Sequence, residues 1–274
     1  MKSFTLLFSC LFFVSCNGQV TSESLINKDK KTIQTRFNAP NGYEIIRGEV
    51  GTYAHYLQNL PLKPNGTDVS LYNGSVKRNK VHAAVIDMEI GKKDLQQCAD
   101  AIMRLRGEYL YQTNRKNEIA FNFTNGFRVA YSEYMKGNRM QVKGNETKWV
   151  KQAAPSDTYA DFRKYMDLIF NYAGTKSLEK ELISVDKITD IQIGDVFIQG
   201  GSPGHAVVVL NVAKNTKTDE KLFLLAQSYM PAQDIHILQN PNNKNISPWY
   251  SSNFTGDLYT PEWTFKKENL KRFK

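Results

Sequence analysis

The chain has few of the residues that usually do chemistry. Of its 274 residues three are cysteine and four are histidine. Cys10, Cys16 and Cys98 stand far apart and none sits close to a histidine, so the ligand spacing of a structural zinc site is missing and no metal or other cofactor is expected. Long apolar runs are missing too. Beyond the first sixteen residues none approaches the length that spans a bilayer. There is no internal repeat and no low-complexity tract. The formal charge of +9 is spread along the chain with acidic residues interleaved, which argues against a dedicated nucleic-acid surface. What remains is a chain of about 240 residues able to bury one substantial core.

The amino-terminal segment reads as a targeting signal. Lys2 supplies a positive start, Phe4 to Val14 a short apolar stretch, and Ser15 a small residue before Cys16. The junction Phe13-Val14-Ser15-Cys16 resembles a bacterial lipoprotein lipobox. That resemblance implies cleavage before Cys16, diacylglycerol on its sulfur, and an anchor to the outer membrane, since Asn17 rather than aspartate follows. The alternative is plain secretion with Cys16 left as a thiol. Residues 17–35, with Lys28-Asp29-Lys30-Lys31, read as a polar tether between lipid and domain. Cys98 is then the single free thiol of the mature chain, without a partner for an internal disulfide.

Residues 36–274 read as one α+β domain. Tyr43–Ile46 and Val81–Ile86 carry β-branched and aromatic residues between Pro-Asn-Gly turns, so residues 36–90 form either a β-rich subdomain or the far edge of the main sheet. A helix is expected from Asp94 to about Gln112, with Leu95, Cys98, Ile102, Leu105 and Tyr109 on one face. Residues 117–124 read as a strand and 137–155 as polar loop. A second helix runs from a cap at Ser156 or Asp157 to Tyr172, and a short third one opens at Ser177. Beyond Ile188 the pattern is β, with strands near 193–199, 205–213, 221–228 and 234–238 and a mostly irregular end. Helices first and adjacent strands later imply an antiparallel sheet.

The stretch Gly194-Asp195-Val-Phe-Ile-Gln-Gly-Gly-Ser-Pro-Gly-His205-Ala-Val-Val-Val-Leu210 places a histidine at the first residue of a doubly covered strand. An imidazole held there rigidly, at the rim, suits proton exchange near neutral pH. The plain alternative is a strand-end histidine bonded to a carbonyl. Cys98, early on the best helix, would feel the positive field of a helix start, which favours thiolate. It also falls on the apolar face, where a lone cysteine serves as a small core residue. The next strand ends in Gln227-Ser228-Tyr229, and Gln227 is the candidate to accept the ring N–H of His205. Ser228, Tyr229, Gln233, His236 and Trp249 are candidate substrate contacts, or else ordinary turn residues. Asp195 reads as a turn stabiliser, His55 and His82 as structural or solvent-facing.

Taken together, the helix cysteine, Gly194-Asp195, Gly204-His205-Ala-Val-Val-Val and the polar strand end resemble the papain-like NlpC/P60 and CHAP cell-wall hydrolases. The resemblance covers Asp94–Gln112 and Ile191–Ser228. It implies a papain-like fold and a cysteine amidase or endopeptidase acting on cell-wall peptides, with Cys98 as nucleophile, His205 as base and Gln227 orienting the ring. The alternative kept beside it is a non-catalytic lipoprotein binding glycan or peptide on the same fold. The cysteine context departs from the families' Asp-Cys-Ser/Thr-Gly: here it is Gln97-Cys98-Ala99-Asp100. Separately, the Cys-Ala-Asp helix with Gln227–Leu238 is similar to an uncharacterised family of bacterial envelope lipoproteins, which implies no activity.

Overall fold

The computed structural model describes residues 24–274. The lipobox-like junction and Cys16 lie outside the described residues. From Ser24 onward the chain already belongs to the domain: Ile26 bridges to Phe37, α1 (Ile33–Arg36) follows, and Ile33 and Phe37 are fully buried. The second half of the expected tether is therefore packed, because its two apolar side chains find the core.

The first third supplies β1 (Tyr43–Ile45), α2 (Tyr53–Gln58) and β2 (His82–Val85). Then comes the long helix α3, Cys98–Gln112, which begins four residues later than Asp94. Asp94 does not cap it. Its carboxylate instead accepts the Ala232 N–H at 2.6 Å and the Gln97 side-chain amide at 3.1 Å. Gln97 holds the cap position, and Asp100, at the third helical residue, reaches back to accept the Gln97 N–H at 3.1 Å. Two small elements, β3 (Ala120–Asn122) and β4 (Arg128–Ala130), form a hairpin ahead of α4 (Tyr131–Met135).

Residues expected to be loop form a second hairpin, β5 (Asn138–Lys143) and β6 (Glu146–Lys151). Gly144, at φ +59°, opens its two-residue turn. Met140, Val142 and Trp149 face the core, and the polar residues between them mask that alternation. Helix α5 (Tyr159–Tyr172) starts from Thr158, whose hydroxyl accepts the Asp161 N–H. It buries Phe162, Tyr165, Met166, Ile169 and Phe170, as its periodicity predicts. Helix α6 (Thr175–Glu181) leads to β7 (Ile183–Ser184).

The carboxy-terminal half builds most of the sheet. Its strands are β8 (Val196–Gln199), β9 (His205–Asn215), β10 (Lys221–Gln227), β11 (His236–Leu238), β12 (Tyr250–Ser251), β13 (Leu258–Tyr259), β14 (Thr264–Phe265) and β15 (Leu270–Arg272). The main sheet has the order β2-β11-β10-β9-β8-β15-β7, with β1 added to β9 and β12 to β10, and every pairing is antiparallel. The fold is thus α+β, with a sheet drawn chiefly from the second half. Residues 36–90 contribute β1 and β2 to that same sheet.

Strand β9 separates two apolar layers. Val208 and Leu210 join the helices, including Ile102, Leu105 and Phe162. Val207 and Val209 face Phe223, Leu258, Phe265 and Leu270 from the carboxy-terminal segment. A bulge opposite Leu224/Leu225 then inverts the alternation, so that Val212 joins the second layer and Ala213 the first. No helix among the described residues is long and apolar enough to cross a membrane.

Candidate functional site

The late start of α3 sets the position of the thiol. Cys98 is its first helical residue rather than one turn inside. Its own N–H is among the four that a helix start leaves unpaired within the helix. The backbone N–H groups of Ala99, Ala206 and Cys98 itself draw the thiol pKa down against burial. Ala206 directly follows His205, so the thiol meets the mouth of β9 at the residue next to the imidazole. Gly204 shapes that mouth. A Cβ there would lie 2.6 Å from the Gly201 carbonyl oxygen and 2.8 Å from that of Gln199, so only glycine lets the turn fold back this closely.

His205 is fully buried, and its Nε2 lies 2.8 Å from Gln227 Oε1. The amide nitrogen of Gln227 donates to Glu262 Oε2 at 2.7 Å and to His236 Nε2 at 3.4 Å. His236 in turn donates from Nδ1 to the Asp234 carbonyl at 2.8 Å. These partners fix the amide orientation and both tautomers. Gln227 can only accept from His205, so His205 carries its hydrogen on Nε2 and keeps a lone pair on Nδ1. Among the described residues that Nδ1 makes no hydrogen bond.

Aromatic rings close over the imidazole. Tyr229 meets it edge-on at 4.9 Å between centroids, Trp263 lies at 5.3 Å and Phe265 stacks at 5.9 Å. Trp263 and Glu262 come from the tip of the β13–β14 hairpin. Glu262 also pairs with Lys77 at 2.8 Å, and the Lys77 ammonium stands 5.2 Å from the Tyr229 ring. Two loops, 72–80 and 260–263, therefore meet over the site through one ion pair.

Burial dominates the electrostatics. It lowers His205 to about 4 against a weaker upward pull from Gln227 and Glu262. It raises the Cys98 thiol to about 11, helped by the charge of Asp100. Asp100 is itself raised to about 8 by burial. At neutral pH both thiol and imidazole are uncharged. The site therefore holds no standing thiolate–imidazolium pair.

Four of the expected substrate contacts prove to be structural. Ser228 is sealed, donating to the carbonyls of Gln96 and Gln233. Gln233 is buried, with its amide nitrogen on the Pro231 carbonyl. His236 is buried and holds Gln227 in place. Trp249 is buried on the helix side of the sheet, donating its indole N–H to Asn38. Tyr229 alone of the five stands at the site. Asp195 has the structural part expected of it, accepting the Gln192 N–H and pairing with Arg272. Trp263, Glu262 and Lys77 were missed. The run Pro261-Glu-Trp263 was the available signal, an aromatic and an acid on a turn residue, but nothing local ties it to a histidine nearly sixty residues earlier. No cluster of three or more possible metal ligands occurs among the described residues.

Residues 33–272 match a family model described as a domain of unknown function (4846). The chain belongs to that family. No curated protein and no solved structure matches it. The family's description assigns no activity, and the reading of the site rests on its own geometry.

Proposed function

We propose that this family member is a lipid-anchored envelope protein whose core is papain-like and whose site cleaves amide bonds of peptidoglycan or other peptides. The observation that carries the reading is the Nε2–H of His205 donated to Gln227 at the mouth of β9, the strand on which α3 packs with Cys98 as its first residue. The three residue types that covalent amide hydrolysis uses, a thiol, an imidazole and a group orienting the ring, support the reading. The thiol proton passes to Nδ1 of His205 as sulfur attacks the carbonyl carbon. The C–N bond then breaks, the imidazolium returns the proton to the departing amine, and water hydrolyses the thioester. Acylated Cys16 holds the domain at the outer membrane, and the rim formed by Tyr229 and Trp263 receives the substrate. Because the resting thiol is neutral and the ring is covered, substrate must part the Trp263 hairpin before reaction.

The test is digestion of purified peptidoglycan with the mature protein, followed by quantification of new amino groups. Release by the wild type and none by Cys98→Ala is the expected result. Equal release by both, or by neither, removes the hydrolase reading. The high thiol value favours a second reading, a non-catalytic pocket for glycan or peptide. Under it, sedimentation with peptidoglycan persists unchanged in Cys98→Ala and no amine appears.

A further inference from the structure

A cavity lined by neither Cys98 nor His205 lies beside the middle of α3. It measures about 780 Å³, within the roughly 300–1,000 Å³ of small-molecule sites. It opens between α2, the segment 87–89 after β2, the middle of α3 and Tyr159 at the head of α5. We infer that this cavity is a binding site for an organic cation, a primary ammonium carried on an apolar or peptide body.

The floor is an ion pair that helix α3 buries almost completely. Arg104 Nε meets Glu108 Oε1 at 2.6 Å, with each side chain 3% exposed or less. Burying such a pair is costly unless the remaining donors are met. They are met here: Arg104 also donates to Gln96 Oε1, the Tyr159 hydroxyl and the Glu89 carbonyl, at 3.0, 3.2 and 3.3 Å. Four donor contacts on a group with five N–H bonds leave almost nothing for an anion. The spare capacity is on the acceptor side. Glu108 Oε1 takes both Arg104 and the Tyr159 hydroxyl, while Oε2 has only the Gln112 amide at 3.5 Å. The Tyr56 hydroxyl, on the same wall, is sealed from water and has no partner.

Charge agrees with that count. Asp87, Glu89 and Glu108 line the cavity against the single Arg104, a balance of −2 in a chain of +9. Glu89 is loosely shared with Arg163 at 3.5 Å, whereas Asp87, exposed at the rim, has no side-chain partner among the described residues. Tyrosine rings complete the wall, with Tyr159 46% exposed. Aromatic faces beside unpaired carboxylate oxygens are the surroundings in which an ammonium group is held by charge and by cation–π attraction together.

Calorimetric titration of the mature protein with cadaverine (1,5-diaminopentane) tests the site, with its diacetylated form and glutarate as controls. Cadaverine alone should bind, and more weakly as salt rises. Asp87→Asn, a rim change that leaves the fold intact, should weaken binding several-fold, and Glu108→Gln by about tenfold or more. If Glu108→Gln fails to fold, Asp87→Asn decides. Cys98→Ala should bind as the wild type does, which separates this site from the proposed hydrolase. No heat from cadaverine at millimolar concentration overturns the inference. So does binding of glutarate in its place, or affinity unmoved by both salt and Asp87→Asn.

Discussion

Gln227 accepts the Nε2–H of His205 at 2.8 Å, and so sets which nitrogen of the buried ring is a base. The amide cannot turn over, because its nitrogen is held by Glu262 and His236. Replacing Gln227 by Ala leaves the buried Nε2–H of His205 without its acceptor and takes one donor from Glu262, which keeps Lys77. An unpaired buried polar group costs about 1–3 kcal/mol, so the melting temperature of Gln227→Ala should fall by several degrees. Imidazole nitrogen NMR should show the Nε2–H form in the wild type and a tautomer mixture in the variant. A ring that keeps one tautomer without Gln227 would show that something else orients it.

The thiol is predicted to be quiet at rest. A group raised from 9.0 to about 11 holds about a hundredfold less thiolate at neutral pH. Labelling of Cys98 by an alkylating reagent at pH 7 should therefore lag far behind glutathione. Trp263→Ala removes a ring from the cover over His205 and admits water, so it should speed labelling at least tenfold. Wild-type labelling as fast as that of glutathione would mean that the covered state is not the one populated in solution.

How much of this could be read in advance follows local physics. Strand β9 was legible because a continuous apolar run has one economical home, between two layers. The pairing of His205 with Gln227 was legible because both lie at the same end of neighbouring strands. The start of α3 was not. Asp94 is the better capping residue by type, yet tertiary contact with Ala232 claims its carboxylate, and Gln97 takes the cap instead. Trp249 was an expected contact and Trp263 was not. The sheet puts Trp249 in the core and brings the more distant hairpin to the histidine. The cavity at Arg104 and Glu108 left no mark beyond an ordinary i,i+4 pair, which usually faces water.

Buried ionisable groups set opposing limits on stability. Asp100 is raised by burial to about 8 from an ordinary value near 3.8. Its neutral form is favoured in the fold, so the associated stability is complete below the unfolded value and is lost as pH climbs toward 8. His205 and His236 are lowered to about 4 and about 3 from 6.5. They contribute above 6.5 and lose that contribution as pH falls through 4 and 3. The windows overlap below pH 6.5, where two histidines outweigh one carboxylate, so these groups together place the peak of resistance to urea near pH 6.5. Asp100→Asn keeps an acceptor for the Gln97 N–H while deleting the charge, so it should be more resistant than the wild type at pH 9 and no more so at pH 4. It should also quicken Cys98 alkylation at pH 9, since the carboxylate is one cause of the raised thiol. If Asp100→Asn and the wild type unfold in parallel from pH 4 to 9, the carboxylate titrates normally and the neutral setting assigned to Cys98 loses one of its two causes.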